Sequence, residues 1–269
     1  MLFRNERPSA LILVSVLGLC PNMHQIMNLC NQYDVILLED ACESMGSQFD
    51  GKRLGSFGTM SSFSTYFGHH ISTIEGGFIN TNDEELYEIL LAIRSHGWDR
   101  DLSSTTQRSL RDEWDVSTFD SMYTFYYSGL NMRATDLQAY IGLSQIDKLD
   151  NFCKKRNKNY FTYMENIHNE YWMPLNYTNC FVSNFAFPVI HPRKEAIAKR
   201  LIDNNVEVRP LICGSMGTQP FYVKRYGECS LKNSSLIDKC GLYIPNHPGL
   251  TLEEIAKVCD LVNREVKNV

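Results

Sequence analysis

Val35-Ile36-Leu37-Leu38-Glu39-Asp40 is the stretch on which the fold turns. Four consecutive apolar residues, two of them β-branched, end abruptly in two carboxylates, the pattern of a buried strand that delivers acid groups to its carboxyl end. Working upstream, residues 23–33 carry a helical pattern, and a second apolar run, Leu11-Ile12-Leu13-Val14-Ser15-Val16-Leu17, precedes it. Strand, helix and strand in that order make a β-α-β unit, which predicts a parallel sheet covered on both faces. Ligands of open parallel sheets bind outside the carboxyl ends of the strands, so Asp40 is a candidate site residue. Taken alone, a strand-end Asp serves equally as a cap or a salt-bridge partner.

Downstream, residues 51–58 are turn-rich, and 61–66 and 77–81 read as short strands. Asn82-Asp83-Glu84-Glu85 reads as a capping box that opens a helix ending near Ser95, with Gly97 as its stop. Residues 98–130 show little periodicity and many aromatics, and are expected to form a long functional or interface loop. Thr135-Asp136-Leu137-Gln138 caps a helix with apolar Leu137, Ile141, Leu143, Ile146 and Leu149, and a charged helical stretch follows to about His168. This pair of helices is expected to bridge two domains. Beyond Cys180 the order is strand (183–190), helix (193–204), strand (206–209) and a closing helix capped by Thr251 and Glu254, which predicts a small α+β domain. The expected division is therefore residues 1–148 as part of a large α/β domain and 149–269 as a bridging helix plus the small domain.

Composition excludes several classes. The 269 residues carry a net charge of −5, with no Lys/Arg stripe, so a polyanionic partner such as nucleic acid is not expected. Nine cysteines are scattered without a C-x-x-C pair, the usage of a reduced, cytoplasmic protein with no metal site. Two N-x-[ST] sequons, at Asn176 and Asn233, matter only in a secreted protein. Arg4 and Arg7 before the first apolar run, with Cys20 after it, imitate a leader peptide. Leu19 stands where a small residue is needed, and the run is read as a strand. Nothing approaches a membrane span.

A second cluster lies about thirty residues after Asp40: Ser64-Thr65-Tyr66-Phe67-Gly68-His69-His70, then Glu75-Gly76-Gly77. Small hydroxyls and glycines at such a turn let backbone and side chains approach a phosphate closely, though a simple strand-to-loop turn reads the same way. Together the two clusters are more specific. Glu39-Asp40-Ala41 with Gly46, Gly55-Ser56-Phe57-Gly58, Ser62-Phe63-Ser64, Gly68-His69 and Glu75-Gly76-Gly77 resemble the DegT-type family of nucleotide-sugar aminotransferases. The resemblance continues through Arg94-Ser95-His96-Gly97, Gly129-Leu130-Asn131-Met132-Arg133, Arg209-Pro210 and Pro245-Asn246-His247-Pro248-Gly249, nearly the whole chain. It implies the fold of the pyridoxal-phosphate-dependent transferases of the aspartate-aminotransferase type: an α/β large domain and a small α+β C-terminal domain. Family members are usually longer, so the chain is expected to begin near the middle of the large domain, without a phosphate-binding loop, a ring-stacking aromatic and part of the sugar pocket.

One departure outweighs the matches: His69 occupies the position of the family's active-site lysine. Imidazole cannot replace the amine that binds the cofactor covalently, so ordinary transamination is disfavoured. The pattern is similar to the GDP-4-keto-6-deoxymannose 3-dehydratase branch of the family. That resemblance implies pyridoxal and pyridoxamine phosphate as cofactor forms, glutamate as amino donor, and loss of the C3 hydroxyl from a GDP-linked 4-keto-6-deoxyhexose during deoxysugar and surface-polysaccharide synthesis. It makes His69 the proton-transfer base, a role that suits a group titrating near neutrality.

The same resemblance pairs Asp40 with the cofactor's pyridine nitrogen and Ser64 with its phosphate. It sets Glu43 near the ring, and Asn131 against the phosphate of a neighbouring subunit, which implies a homodimer. Ser62 and Arg209 are weaker candidates for cofactor or sugar contacts, with Arg209 set on the substrate side. His70 and His96 are read as structural. A related His-for-Lys branch needs an iron–sulfur cluster, and the absence of cysteine from residue 99 to 152 argues against it. The competing readings are a 4-aminotransferase of the same family and a noncatalytic remnant.

Overall fold

The computed structural model describes residues 3, 6, 8–175, 179–212 and 214–267. The Asn176 sequon, Cys213, and the Arg4 and Arg7 of the leader-like segment lie outside the described residues. The eight cysteines that are described are all free thiols. The chain divides into two compact units. The first comprises residues 1–13, 26–40 and 55–147, and the second 14–25, 41–54 and 148–269.

The first unit is built on a four-stranded sheet. Its strands are β1 (Ala10–Val14), β2 (Ile36–Asp40), β5 (Met60–Ser64) and β6 (Gly77–Thr81), in the order β1-β2-β5-β6. Helix α1 (Met23–Tyr33) occupies the interval between β1 and β2, as the sequence pattern requires. Strands β2 and β5 are parallel, with Asp40 opposite Ser62, whereas β6 returns antiparallel to β5. The expectation of a parallel sheet is therefore corrected: the twelve residues that join β5 to β6 form a closed loop with no helix, and β6 turns back beside β5.

The second correction concerns the faces. Leu37, Glu39 and Ser61 alternate to the covered side, each about 3% exposed. On the opposite side Ile12 is 67% and Ile79 57% exposed among the described residues. One face is thus packed and the other open.

Helix α2 (Glu84–Arg94) starts from Asp83, whose carboxylate accepts from the Leu86 amide at 2.9 Å. The cap is thus Asp83 alone, not the expected box. Helix α3 (Ser104–Glu113) falls where a long loop was expected. Leu110 is its one apolar residue, which leaves no apolar periodicity to read, but Ser103 caps it by accepting from the Thr106 amide at 3.2 Å. Thr135 and Gln138 cap α4 (Asp136–Asn166) reciprocally. Where two helical stretches were expected, α4 is one continuous helix of 31 residues, passing from the first unit into the second.

In the second unit, β3 (Gln48–Phe49) pairs with β4 (Lys52–Arg53) and with β7 (Cys180–Phe181). A second sheet, ordered β8-β10-β9, is formed by β8 (Ala186–Ile190), β9 (Arg209–Pro210) and β10 (Gly241–Pro245). Helices α5 (Lys194–Asp203) and α8 (Leu252–Val266) pack on each other, and Thr251 and Glu254 form the expected capping box of α8. Helices α6 (Pro220–Tyr226) and α7 (Lys232–Cys240) lie between β9 and β10. Phe187, Ile197, Leu201, Leu242, Ile244 and Ile255 are at most 1% exposed and form the core.

Buried polar groups complete this unit. Arg156 donates to the Asn246 carbonyl at 2.6 Å, and Asn246 donates to the Asn184 side-chain oxygen at 2.6 Å. Burial pulls the Arg156 guanidinium down to about 10, so it remains charged at neutral pH.

Candidate active site

The end of β2 separates two adjacent carboxylates by the strand's alternation. Glu39 points to the packed side, where it accepts from the backbone amides of Gly55 at 2.7 Å, Phe57 at 2.6 Å and Gly58 at 2.7 Å. A buried carboxylate that takes three amide donors is fully satisfied. It fixes the Gly55-Ser56-Phe57-Gly58 turn and, through it, the register of β5 on β2. Asp40 points the other way, half-buried, onto the open face. The Ser62 hydroxyl donates to it at 3.4 Å. Ser64 lies two residues further along β5 and so shares that face. Leu38, Asp40, Met60, Ser62, Ile12 and Ile79 line a shallow groove of about 230 Å³.

Beyond Ser64 the chain makes a closed loop that carries His69 at its tip. Its base is tied by the Thr65 amide on the Gly76 carbonyl at 3.0 Å and the Thr73 amide on the Thr65 carbonyl at 2.9 Å. The Thr65 and Thr73 hydroxyls meet at 2.6 Å inside it. His69 is half-buried with its Nδ1 inside, whereas His70 is only 3% exposed. The two neighbouring histidines thus take different environments.

Asn131 sits exposed in the first unit, held by its backbone. It forms an isolated antiparallel bridge with Ser95, and the His96 amide donates to the Leu130 carbonyl at 2.7 Å. His96 and Gly97 take the left-handed region, with φ of 63° and 85°. A Cβ at Gly97 would lie 1.8 Å from the Tyr127 carbonyl oxygen, so only glycine fits this corner. Asp99, fully buried, pairs with Arg111 at 2.7 Å behind it.

The other two candidates belong to the second unit. Glu43 accepts from the Leu17 amide at 2.6 Å, and Arg209 pairs with Glu207 at 2.6 Å. Arg209 lies opposite Tyr243 across β9 and β10. Burial raises the Tyr243 phenol above its ordinary value, against the opposing pull of Arg209. Sequence reasoning missed Tyr243, and the Tyr66 ring beside His69, because nothing in their local patterns separates them from core aromatics.

Residues 4–263 match the DegT/DnrJ/EryC1/StrS aminotransferase family. The chain belongs to this family. It is 32% identical over 96% of its length to a GDP-4-keto-6-deoxy-D-mannose 3-dehydratase of Yersinia pseudotuberculosis, of which it covers 67%. Among solved structures, an E. coli GDP-4-keto-6-deoxy-D-mannose 3-dehydratase with bound hydrated PLP superposes with a TM-score of 0.81 at 31% identity, covering 95% of this chain and 67% of that one. A histidine mutant of GDP-4-keto-6-deoxymannose 3-dehydratase, carrying asparagine instead and holding GDP-perosamine, superposes equally well, with a TM-score of 0.81 at 30% identity and cover of 95% and 68%. The chain thus spans about two thirds of the length of these DegT-family relatives and shares their aminotransferase fold.

Proposed function

We propose that this DegT-family chain works with pyridoxamine phosphate to remove the C3 hydroxyl from a nucleotide-linked 4-keto-6-deoxyhexose, with GDP as the favoured nucleotide. The observation that carries the reading is His69 at the tip of the tied loop after Ser64, in the position where family aminotransferases carry lysine. The relatives described above are dehydratases of this substrate class, and one of them holds PLP.

The residues fit the cofactor. Asp40 ends β2 with one carboxylate oxygen oriented by Ser62, and the Ser64 hydroxyl stands further along the same face. When bound, pyridoxamine phosphate supplies an amine for the sugar ketone and a ring that accepts electrons. Asp40 would hold the ring nitrogen protonated. Ser64, which already accepts from the Tyr66 amide at 3.1 Å, would donate its hydroxyl proton to the phosphate. His69, with Nδ1 buried, would use Nε2 to carry the proton removed from the cofactor's C4′ carbon. A residue that cannot capture the cofactor covalently leaves it free to be re-aminated by glutamate.

Asn131, Glu43 and Arg209 are assigned to phosphate, ring and sugar respectively, on the family's pattern. We take the working form to be a cytoplasmic homodimer. Leu137, Tyr140, Leu143 and Ile146 along α4 are 54% to 75% exposed, a slanting apolar row suited to a second copy. Among the described residues no helix is long and apolar enough to cross a membrane.

The test is product analysis with pyridoxamine phosphate, glutamate and a GDP-4-keto-6-deoxy sugar. A product lacking the C3 oxygen, absent with His69→Asn, supports the reading. A stable 4-amino sugar would overturn it in favour of an aminotransferase, and absence of any cofactor binding would favour a noncatalytic role.

A further inference from the structure

The loop that presents His69 also contains an aromatic ring that touches it. Tyr66 and His69 rings stand edge to face, with centroids 5.7 Å apart and planes at 76°. The same two residues close a tight turn, the His69 amide donating to the Tyr66 carbonyl at 3.1 Å. The Tyr66 backbone is itself fixed by its amide bond to Ser64 Oγ at 3.1 Å, and its ring is flanked by Phe67 at 4.3 Å. Below this tip the loop base is closed. Thr73 donates its hydroxyl to the Glu75 carbonyl at 2.9 Å, and Gln138 of α4 donates to the same carbonyl at 2.7 Å.

We propose that Tyr66 is a positioning residue for His69, and that glycine at 68 leaves its ring the room it now occupies beside the imidazole. The proposal rests on the reading of His69 as the proton-transfer base. A Cβ at Gly68 would lie 2.9 Å from Tyr66 Cε1 and 3.3 Å from its Cδ1. Those are atoms of a rigid ring, so any side chain at 68 must swing the ring off its present place. The terminal torsion of a histidine has two broad orientations, and the ring contact favours one of them. A well-formed aromatic pair biases such a choice by up to roughly tenfold, enough to hold Nε2 in one direction.

The experiment compares Tyr66→Phe, Tyr66→Leu and Gly68→Ala with wild type, using steady-state kinetics and the imidazole resonances of His69, assigned by their loss in His69→Asn. Tyr66→Phe keeps the ring and should leave kcat unchanged, because ring contact carries the effect. Tyr66→Leu and Gly68→Ala should each lower kcat by about two- to tenfold with KM little changed, the most that loss of such an orientational bias removes. Both should move the His69 resonances as the neighbouring ring current is lost. Unchanged kcat and resonances in Tyr66→Leu would overturn the proposal. So would a loss confined to KM, which would put Tyr66 on the substrate, or a fall in Tyr66→Phe as deep as in Tyr66→Leu, which would make the hydroxyl the active part. If wild type forms no deoxygenated product, the functional reading fails, and the resonances still decide whether Tyr66 orients His69.

Discussion

Two regions of this DegT-family protein bury polar groups for opposite ends. In the second unit, Arg156, Asn184 and Asn246 turn inward and bind one another and the surrounding carbonyls, with Asn246 also donating to the Arg156 carbonyl at 3.1 Å. In the first unit, the end of β2 and the loop beyond Ser64 use only part of their polar groups this way. Glu39 and the Thr65–Thr73 pair are committed to structure, while Asp40, Ser64 and His69 are left half-buried. The structural polar groups turn inward and bond to other groups of the fold. The proposed site residues Asp40, Ser64 and His69 are instead left partly accessible. Adjacent residues, Glu39 and Asp40, fall on opposite sides of that divide because a strand alternates its side chains.

The sharpest way to break this contrast is to exchange the outcomes. His69→Asn is expected to lower deoxygenation by on the order of 10³-fold, the scale of a lost general base, with an unchanged urea midpoint. A shifted midpoint would class His69 with the structural groups. Arg156→Met should do the reverse, costing about 3 kcal/mol in urea unfolding because it strips the donor from buried carbonyls, with kcat of the folded fraction retained. Glu39→Gln keeps the shape and the acceptor for Phe57 and Gly58 but sets its NH2 group against the Gly55 amide, donor against donor, for an expected loss of about 1–3 kcal/mol. An unaltered midpoint there would mean that the 55–58 turn holds itself.

The smallest effect is at Glu88. Hydrogen bonds from Thr106 and Ser103 lower its carboxyl below the ordinary 4.5. A folded-state value below the unfolded one means that its contribution is complete above the unfolded value and is lost as pH falls through the folded one. Glu88→Gln should therefore flatten the acid limb of the stability profile slightly, read by urea melts between neutral pH and pH of about 3.

How much of this was legible beforehand follows from the physics of each element. The apolar run into Glu39 and Asp40, helix α1 and the caps of α4 and α8 were readable because burial and capping act locally. Helix α3 was not, because Leu110 is its one apolar residue and cannot alone mark an inner face. The antiparallel return of β6 was missed because strand direction depends on how the connection runs, not on residue type. The open sheet face was missed for a different reason: the alternation of Ile36, Leu38 and Asp40 against Leu37 and Glu39 is hidden when both sets begin as apolar residues. His69 was legible only through the family pattern, and the Tyr66 ring beside it only in three dimensions.

The central claim is that His69 moves a proton at C4′ of a cofactor that the protein does not capture covalently. Its most direct measurement is hydrogen–deuterium exchange at C4′ of pyridoxamine phosphate in D₂O, followed by NMR with the ketosugar bound, in wild type and His69→Asn. The account predicts exchange in wild type and its collapse in the variant. Equal exchange in both would contradict it, and the proton carrier would have to be sought in another residue.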